Sequence, residues 1–331
     1  MRDLSIDVFR GVCILFVVLG HTDYIPKPLM DLIYSFHMPA FFILSGYLFN
    51  TGKKQKLLER VNSRFKRLII PAWILGLICG VPFLLMLATG YGGITYDVFL
   101  TKLYGTLTGY PSYSHTFNST PLWFLFSLFV VDIIATYIFS ITDRAVIALY
   151  IIGGLGVVIS HMTNQVTPFN ILISLVGVLF FSIGISIREI VNSNIHFDGR
   201  MILTLSFVIF SFGNICFSSP INMATNTIGH GLSSIYNIIV ATCGTIFIAV
   251  LSTYISKIKK ISKYIAWLGV NTIPIVAFDY YANNIILFAH QWLELPSLWY
   301  SSFIIKVIIL SIVAYLISIH PKFNRIINCN S

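Results

Sequence analysis

The chain is 331 residues long, with 56% hydrophobic and 10% charged residues and a formal net charge of +9. Soluble domains carry roughly 25% charged residues, so this chain has too little polar surface to cover a water-soluble globule, and the bilayer is its expected solvent. The positive charges fall between apolar runs, which argues against a nucleic-acid partner.

A spanning helix needs about 20 apolar residues. Runs of this kind lie near 6–22, 32–50, 68–89, 121–141, 145–161, 168–187, 201–219, 234–255, 264–290 and 299–319. They predict an all-α, polytopic membrane protein of about ten transmembrane helices, forming one integral-membrane domain over residues 1–331. The first run carries Asp7 and Arg10 and lacks a small-residue cleavage site, so it reads as a retained helix rather than a signal peptide. It is short and polar at both ends, and the ninth run is long, so either is a candidate for a tilted, broken or re-entrant segment. No internal repeat or low-complexity segment is apparent.

Basic residues set the orientation. With the N-terminus inside, 17 of the 21 Lys and Arg fall on cytoplasmic segments: Arg2, Lys53, Lys54, Lys56, Arg60, Arg64, Lys66, Arg67, Arg144, Arg188, Arg200, Lys257, Lys259, Lys260, Lys263, Lys322 and Arg325. Lys27 and Lys102 are left outside, Lys306 lies just within the outer end of the last helix, and Arg10 lies within the first. Both termini are therefore expected in the cytoplasm, with the chain in the cell inner membrane. The longest outer segment, about 90–120, is rich in Gly, Tyr, Ser and Thr; its tyrosines Tyr91, Tyr96, Tyr104, Tyr110 and Tyr113 suit the membrane interface and also sugar stacking. The cysteines at 13, 79, 216, 243 and 329 show no paired short spacing, so no disulfide and no metal site is predicted, and the first four are expected in the core.

Arg10 and His21 are eleven residues apart on the first predicted helix. Eleven steps of about 100° bring them to nearly one face, roughly 16 Å apart along the axis. Asp7, one turn before Arg10, is placed to pair with it. The second helix carries His37 at about the depth of His21, and Ser45, Gly46 and Tyr47 near the depth of Arg10. Gly46 suits either a close helix contact or passage of a thin ligand beside the backbone. The inner loop ends in Arg64, Phe65, Lys66 and Arg67 before Pro71, and two arginines at i and i+3 make a planar-donor clamp for phosphate, although positive-inside anchoring also accounts for them. Asp132 and Asp279 are intramembrane carboxylates that require partners, either to position a base or to close an ion pair.

The Arg10-to-His21 spacing, the Ser45-Gly46-Tyr47 triplet after an apolar-aromatic run, and Arg64-x-x-Arg67 before Pro71 resemble the membrane acyltransferase-3 family, in particular its fucose 4-O-acetylase-like branch. Trp123 in the Pro121–Phe124 segment and Asn271 in Gly269–Thr272 are similar to softer family features. Many members carry a histidine shortly after that Asn, where this chain has Asp279. The resemblance implies transfer of an acyl group, usually acetyl from acetyl-CoA, to a hydroxyl of a cell-surface glycan or lipid-linked saccharide. His21, Arg10 and His37 are then the expected catalytic group, with His21 acting as general base or carrying the acyl group itself. Arg64, Arg67, Ser45, Gly46 and Tyr47 would hold the donor, and Asp7, Trp123, Asp132, Asn271 and Asp279 would support the site. The competing reading is a multi-helix transporter or flippase of a glycolipid or small solute, with the same buried groups lining a translocation path.

Overall fold

The computed structural model describes residues 3–52, 56–193, 198–216, 221–229, 231–294, 296 and 298–327. Arg2, Lys53, Lys54 and Cys329 lie outside the described residues, and only the backbone of Lys322 is described.

The Asp3 side chain accepts from the Ser5 N–H and caps α1 (Leu4–Gly20). The helix stops two residues short of expectation because Thr22 folds back onto it. Its hydroxyl donates to Val18 O at 2.8 Å and its N–H to Leu19 O at 3.0 Å, leaving His21 as the C-cap. Next come α2 (Lys27–Tyr34) and α3 (His37–Tyr47), with Pro39 in the first turn of α3, where a missing N–H leaves no bond unmade. A short helix α4 (Leu57–Arg64) continues through a π-helical turn, Phe65–Ile69, into α5 (Ile70–Thr89). Pro71 cannot donate to the Arg67 carbonyl and its ring crowds it, so the turn before it widens, and the Ile70 N–H reaches back to Phe65 O.

The outer segment folds into a helix of its own, α6 (Tyr96–Thr108). Lys102, one of the lysines placed outside, lies on this helix. It is buried, with Nζ donating to the carbonyls of Tyr113 and Thr116 at 3.0 Å each. Then follow α7 (Trp123–Ile141), α8 (Ala145–Met162), α9 (Ile171–Asn192), α10 (Gly199–Cys216) and α11 (Leu232–Ile255). Between α10 and α11, residues 221–229 make a tight turn bridged from Asn222 to Thr227, and its Ile221, Met223 and Ile228 are buried in the core with Phe42, Val131 and Phe181.

The ninth run is broken into α12 (Lys259–Val270), α13 (Thr272–Ala277) and α14 (Asp279–Trp292), before α15 (Trp299–Ile319) and α16 (Pro321–Ile327). Pro274 has no N–H to give the Val270 carbonyl, so the α-helical ladder stops there, and Asn271 closes α12 by returning both its backbone N–H, at 3.1 Å, and its Nδ2, at 2.9 Å, to Trp267 O. Asp279 begins α14, where a helix N-terminus favours a carboxylate. Among the described residues, eight helices are long and apolar enough to cross a membrane. With α1 and the broken run they account for the ten expected segments, and no strand is present among the described residues. Exposed stripes at helical spacing, Ile147, Ile151, Leu155 and Val158 on α8 and Ile304, Ile308 and Ile312 on α15, face the hydrocarbon. Cys13 and Cys79 are buried and Cys243 is half-buried, but Cys216 is exposed at the end of α10 rather than in the core.

Two backbone crossings hold the helices that carry the site. A Cβ on Gly11 would lie 1.9 Å from Ile265 O, and one on Gly269 would lie 2.0 Å from Asp7 O, so α1 and α12 touch backbone to backbone. A Cβ on Gly46 would lie 1.9 Å from Phe181 O and one on Gly184 2.0 Å from Ile43 O, which locks α3 onto α9. Gly46 therefore serves close helix contact and faces α9, not a ligand path. Gly46→Ala is expected to lower stability by about 1–3 kcal/mol, the range for overpacking, read as a fall in melting temperature in detergent; an unchanged melting temperature would contradict the crossing.

Candidate active site

Asp279 lies ten residues beyond Gly269, and His21 lies ten residues beyond Gly11. Because the two segments cross at those glycines and rise together, they reach the same depth, and His21 Nδ1 comes 2.9 Å from Asp279 Oδ2. Asp279 is fully buried and also lies 2.9 Å from Lys306 Nζ through Oδ1. A carboxylate paired with an ammonium can only accept, so His21 Nδ1 carries the proton and its Nε2 is the acceptor. The main chain is held as well: His21 O accepts from Asn283 Nδ2 at 2.5 Å and from Lys306 Nζ at 3.2 Å.

His21 lines a cavity of about 450 Å³ enclosed by α1, α2, α3, α4, α7, the 221–225 turn, α13 and α14. Arg10, His37, Ser45, Arg64 and Trp123 line the same cavity, so six of the residues singled out from sequence converge on one space. Arg10 pairs with Asp7 at 3.5 Å, as the spacing suggested. Tyr280 stacks on His21 with ring centroids 5.7 Å apart, and Tyr34 stands edge-on between His21, at 6.5 Å, and His37, at 5.0 Å. His37 is buried, and its Nδ1 donates to Ile33 O at 2.8 Å.

At the opposite end, Asp132 of α7 closes an ion pair with two guanidiniums. Arg60 Nε lies 2.5 Å from Oδ1 and Arg64 lies 2.8 Å from Oδ2, while a second Arg60 nitrogen reaches Oδ2 at 2.7 Å. Arg64 Nε is buried without a hydrogen-bond partner, and the side chain, 27% exposed, lines the cavity, which places a partly desolvated guanidinium where an anion can reach it.

Four expected site residues sit elsewhere. The π-helical turn rotates Arg67 off the Arg64 face, so it is exposed and lines no part of the cavity; the i, i+3 clamp assumed an uninterrupted α-helix. Tyr47 faces a second, apolar cavity of about 430 Å³ between α1, α3, α9, α10 and α11, and Gly46 faces α9. Asn271 is buried and works at the α12–α13 break rather than on the cavity. Sequence reasoning missed Arg60, Tyr34, Tyr280, Asn283 and the role of Lys306. An intramembrane lysine was itself a signal, but Lys306 was counted as an outer-end charge. Among the described residues, no group of three or more His, Cys, Asp or Glu is arranged to hold a metal ion.

The sequence profile of the acyltransferase-3 family, described as an acyltransferase domain, matches residues 3–320. The nodulation protein NolL of Sinorhizobium fredii is 37% identical over an alignment of 81 residues that covers 21% of this chain and 22% of that protein. NolL of Mesorhizobium japonicum is 36% identical with the same coverage, so the chain matches only about a fifth of the length of these relatives. No solved structure matches the chain. A profile match over nearly the whole length favours an enzyme over the transporter alternative: the chain belongs to the acyltransferase-3 family of membrane acyltransferases.

Proposed function

We propose that the protein is an acyl-CoA-dependent O-acyltransferase that moves an acetyl group from cytoplasmic acetyl-CoA to a hydroxyl of a cell-surface glycan or lipid-linked saccharide, acting in the cell inner membrane with both termini in the cytoplasm. The observation that carries this reading is a single cavity with an Asp-supported imidazole at one end and a partly unsatisfied guanidinium at the other.

The donor's phosphates would rest on Arg64 and Arg10, with its thin pantetheine arm running past Ser45 and Trp123 toward His21. His21 Nε2 removes the proton from the acceptor hydroxyl as the oxygen attacks the thioester carbonyl. Asp279 stabilises the imidazolium that forms. The C–S bond then breaks, and the leaving thiolate takes the proton from His21, so the products are the acetyl ester and CoA thiol. Imidazole suits the task because it changes charge near neutral pH. His37, whose ring bonds a backbone carbonyl rather than a carboxylate, lines the site beside Tyr34 and is given no proton-transfer step.

The direct test is release of CoA thiol from acetyl-CoA by the purified protein when an extract of the cell's glycans is added; absence of release overturns the reading. Arg64→Ala is expected to weaken acetyl-CoA binding about 10–100-fold, the worth of a hydrogen bond to a charged group, while Arg67→Ala leaves it within about twofold, as for an exposed charge. Arg60 still holds Asp132 in the first variant, so the fold is retained. An unchanged dissociation constant for Arg64→Ala, measured calorimetrically, removes this residue from donor binding.

A further inference from the structure

Lys306 is fully buried on α15, and its Nζ meets three acceptors: Asp279 Oδ1 at 2.9 Å and the carbonyls of Val18 and His21 at 3.2 Å each. The two carbonyl hydrogen bonds and the ion pair together tie α15 to the end of α1 and the start of α14. Asp279 is equally buried, and its two oxygens are divided between Lys306 and His21. A buried carboxylate must have a counter-charge. Two groups in contact with it are able to supply one, and the choice decides the chemistry. If His21 supplied the charge, both of its ring nitrogens would carry protons and no lone pair would remain to accept one.

We propose that Lys306 is a positioning residue that acts as the counter-ion of Asp279, so that His21 remains neutral with its Nε2 lone pair directed into the cavity. The inference rests on His21 being the general base of the proposed reaction. The other titratable groups facing this cluster are Asp23 in the turn after α1, Tyr34 of α2, His37 of α3, Tyr280 of α14 and, against Tyr280, Tyr113 of the outer loop. None of these is a lysine or arginine. Asp23 is half-buried, and burial pushes its carboxyl above the usual range. Lys306 is thus the fixed cation in contact with a fixed buried anion, and the histidine between anion and cavity is released from that duty.

The test is nitrogen-15 NMR of the purified full-length protein in detergent at about pH 7, with labelled histidine and the His21 signals identified by subtraction of a His21→Gln spectrum. The parent is expected to show a neutral ring with the proton on Nδ1. Lys306→Met is expected to show both His21 nitrogens protonated, with kcat for CoA release down about 100-fold, the worth of a general base, and KM for acetyl-CoA unmoved. Lys306→Met combined with Asp279→Asn removes both charges and is expected to return His21 to the neutral ring. A charged His21 in the parent, or a neutral one in Lys306→Met, overturns the proposal. Should Lys306→Met fail to fold, recovery of the folded protein by the double variant supports the counter-ion role, and failure to recover overturns it. Full transfer activity in His21→Ala would instead defeat the general-base reading, and the NMR result would still decide the charge assignment.

Discussion

His21→Ala is expected to lower acyl transfer by at least about 10²–10⁴-fold, the usual worth of a general base, with the protein still inserted and folded. The second half of that expectation follows from the geometry. Removing the imidazole leaves Asp279 paired with Lys306, so no buried charge is stranded. The His21 carbonyl, which receives Asn283 and Lys306, belongs to the backbone and is untouched by the substitution. Asp279→Ala is different in kind, because it strands the fully buried Lys306 and is expected to damage folding as well as chemistry. Asp279→Asn retains the volume but removes the negative charge that orients and stabilises the imidazole, so it lowers transfer with a smaller cost in folding. The measurement is CoA thiol release by each variant, with size-exclusion elution and melting temperature alongside. Wild-type rates from a folded His21→Ala protein would take His21 out of the mechanism.

The parts of this site that were legible in the sequence are those set by local periodicity. Arg10 and His21 share a helical stripe, Asp7 lies one turn from Arg10, and the side chains point where about 100° per residue sends them. The same rule failed for Arg67 because a π-helical turn before Pro71 changes the angle per residue. It also failed for the Ser45-Gly46-Tyr47 triplet, where three adjacent residues necessarily point three ways, into the cavity, onto α9 and into the second cavity. Partner choice was not legible. Asp279 reaches His21 across 258 positions and Asp132 reaches Arg60 across 72; nothing local to either carboxylate names its cation. What the sequence did carry was the demand for some partner, since an intramembrane carboxylate is costly alone. The glycines that decide the pairing, Gly11 and Gly269, were visible as residues, but their meeting is a property of the packed bundle.

Asp132→Ala is expected to cost about 3 kcal/mol of stability, the lower end of the range for breaking a buried ion pair, because one carboxylate there balances two guanidiniums. Its side chain is 4% exposed, against 15% for Arg60 and 27% for Arg64, so the arginines retain some access to water and the cost stays below the upper end. The Phe49 ring, whose centroid lies 5.4 Å from the Arg60 guanidinium, offers partial compensation. The same variant bears on donor binding with a sign opposite to that of Arg64→Ala. Without Asp132, Arg64 keeps its place on the cavity wall and loses its competing anion, so the phosphates of acetyl-CoA would supply the missing negative charge. Acetyl-CoA is therefore expected to raise the melting temperature of Asp132→Ala by more than it raises that of the parent, since a ligand stabilises in proportion to its preference for the folded form. A smaller rise than in the parent would mean that the guanidinium pair does not face the donor, and the entry of acetyl-CoA would have to be sought away from Arg64.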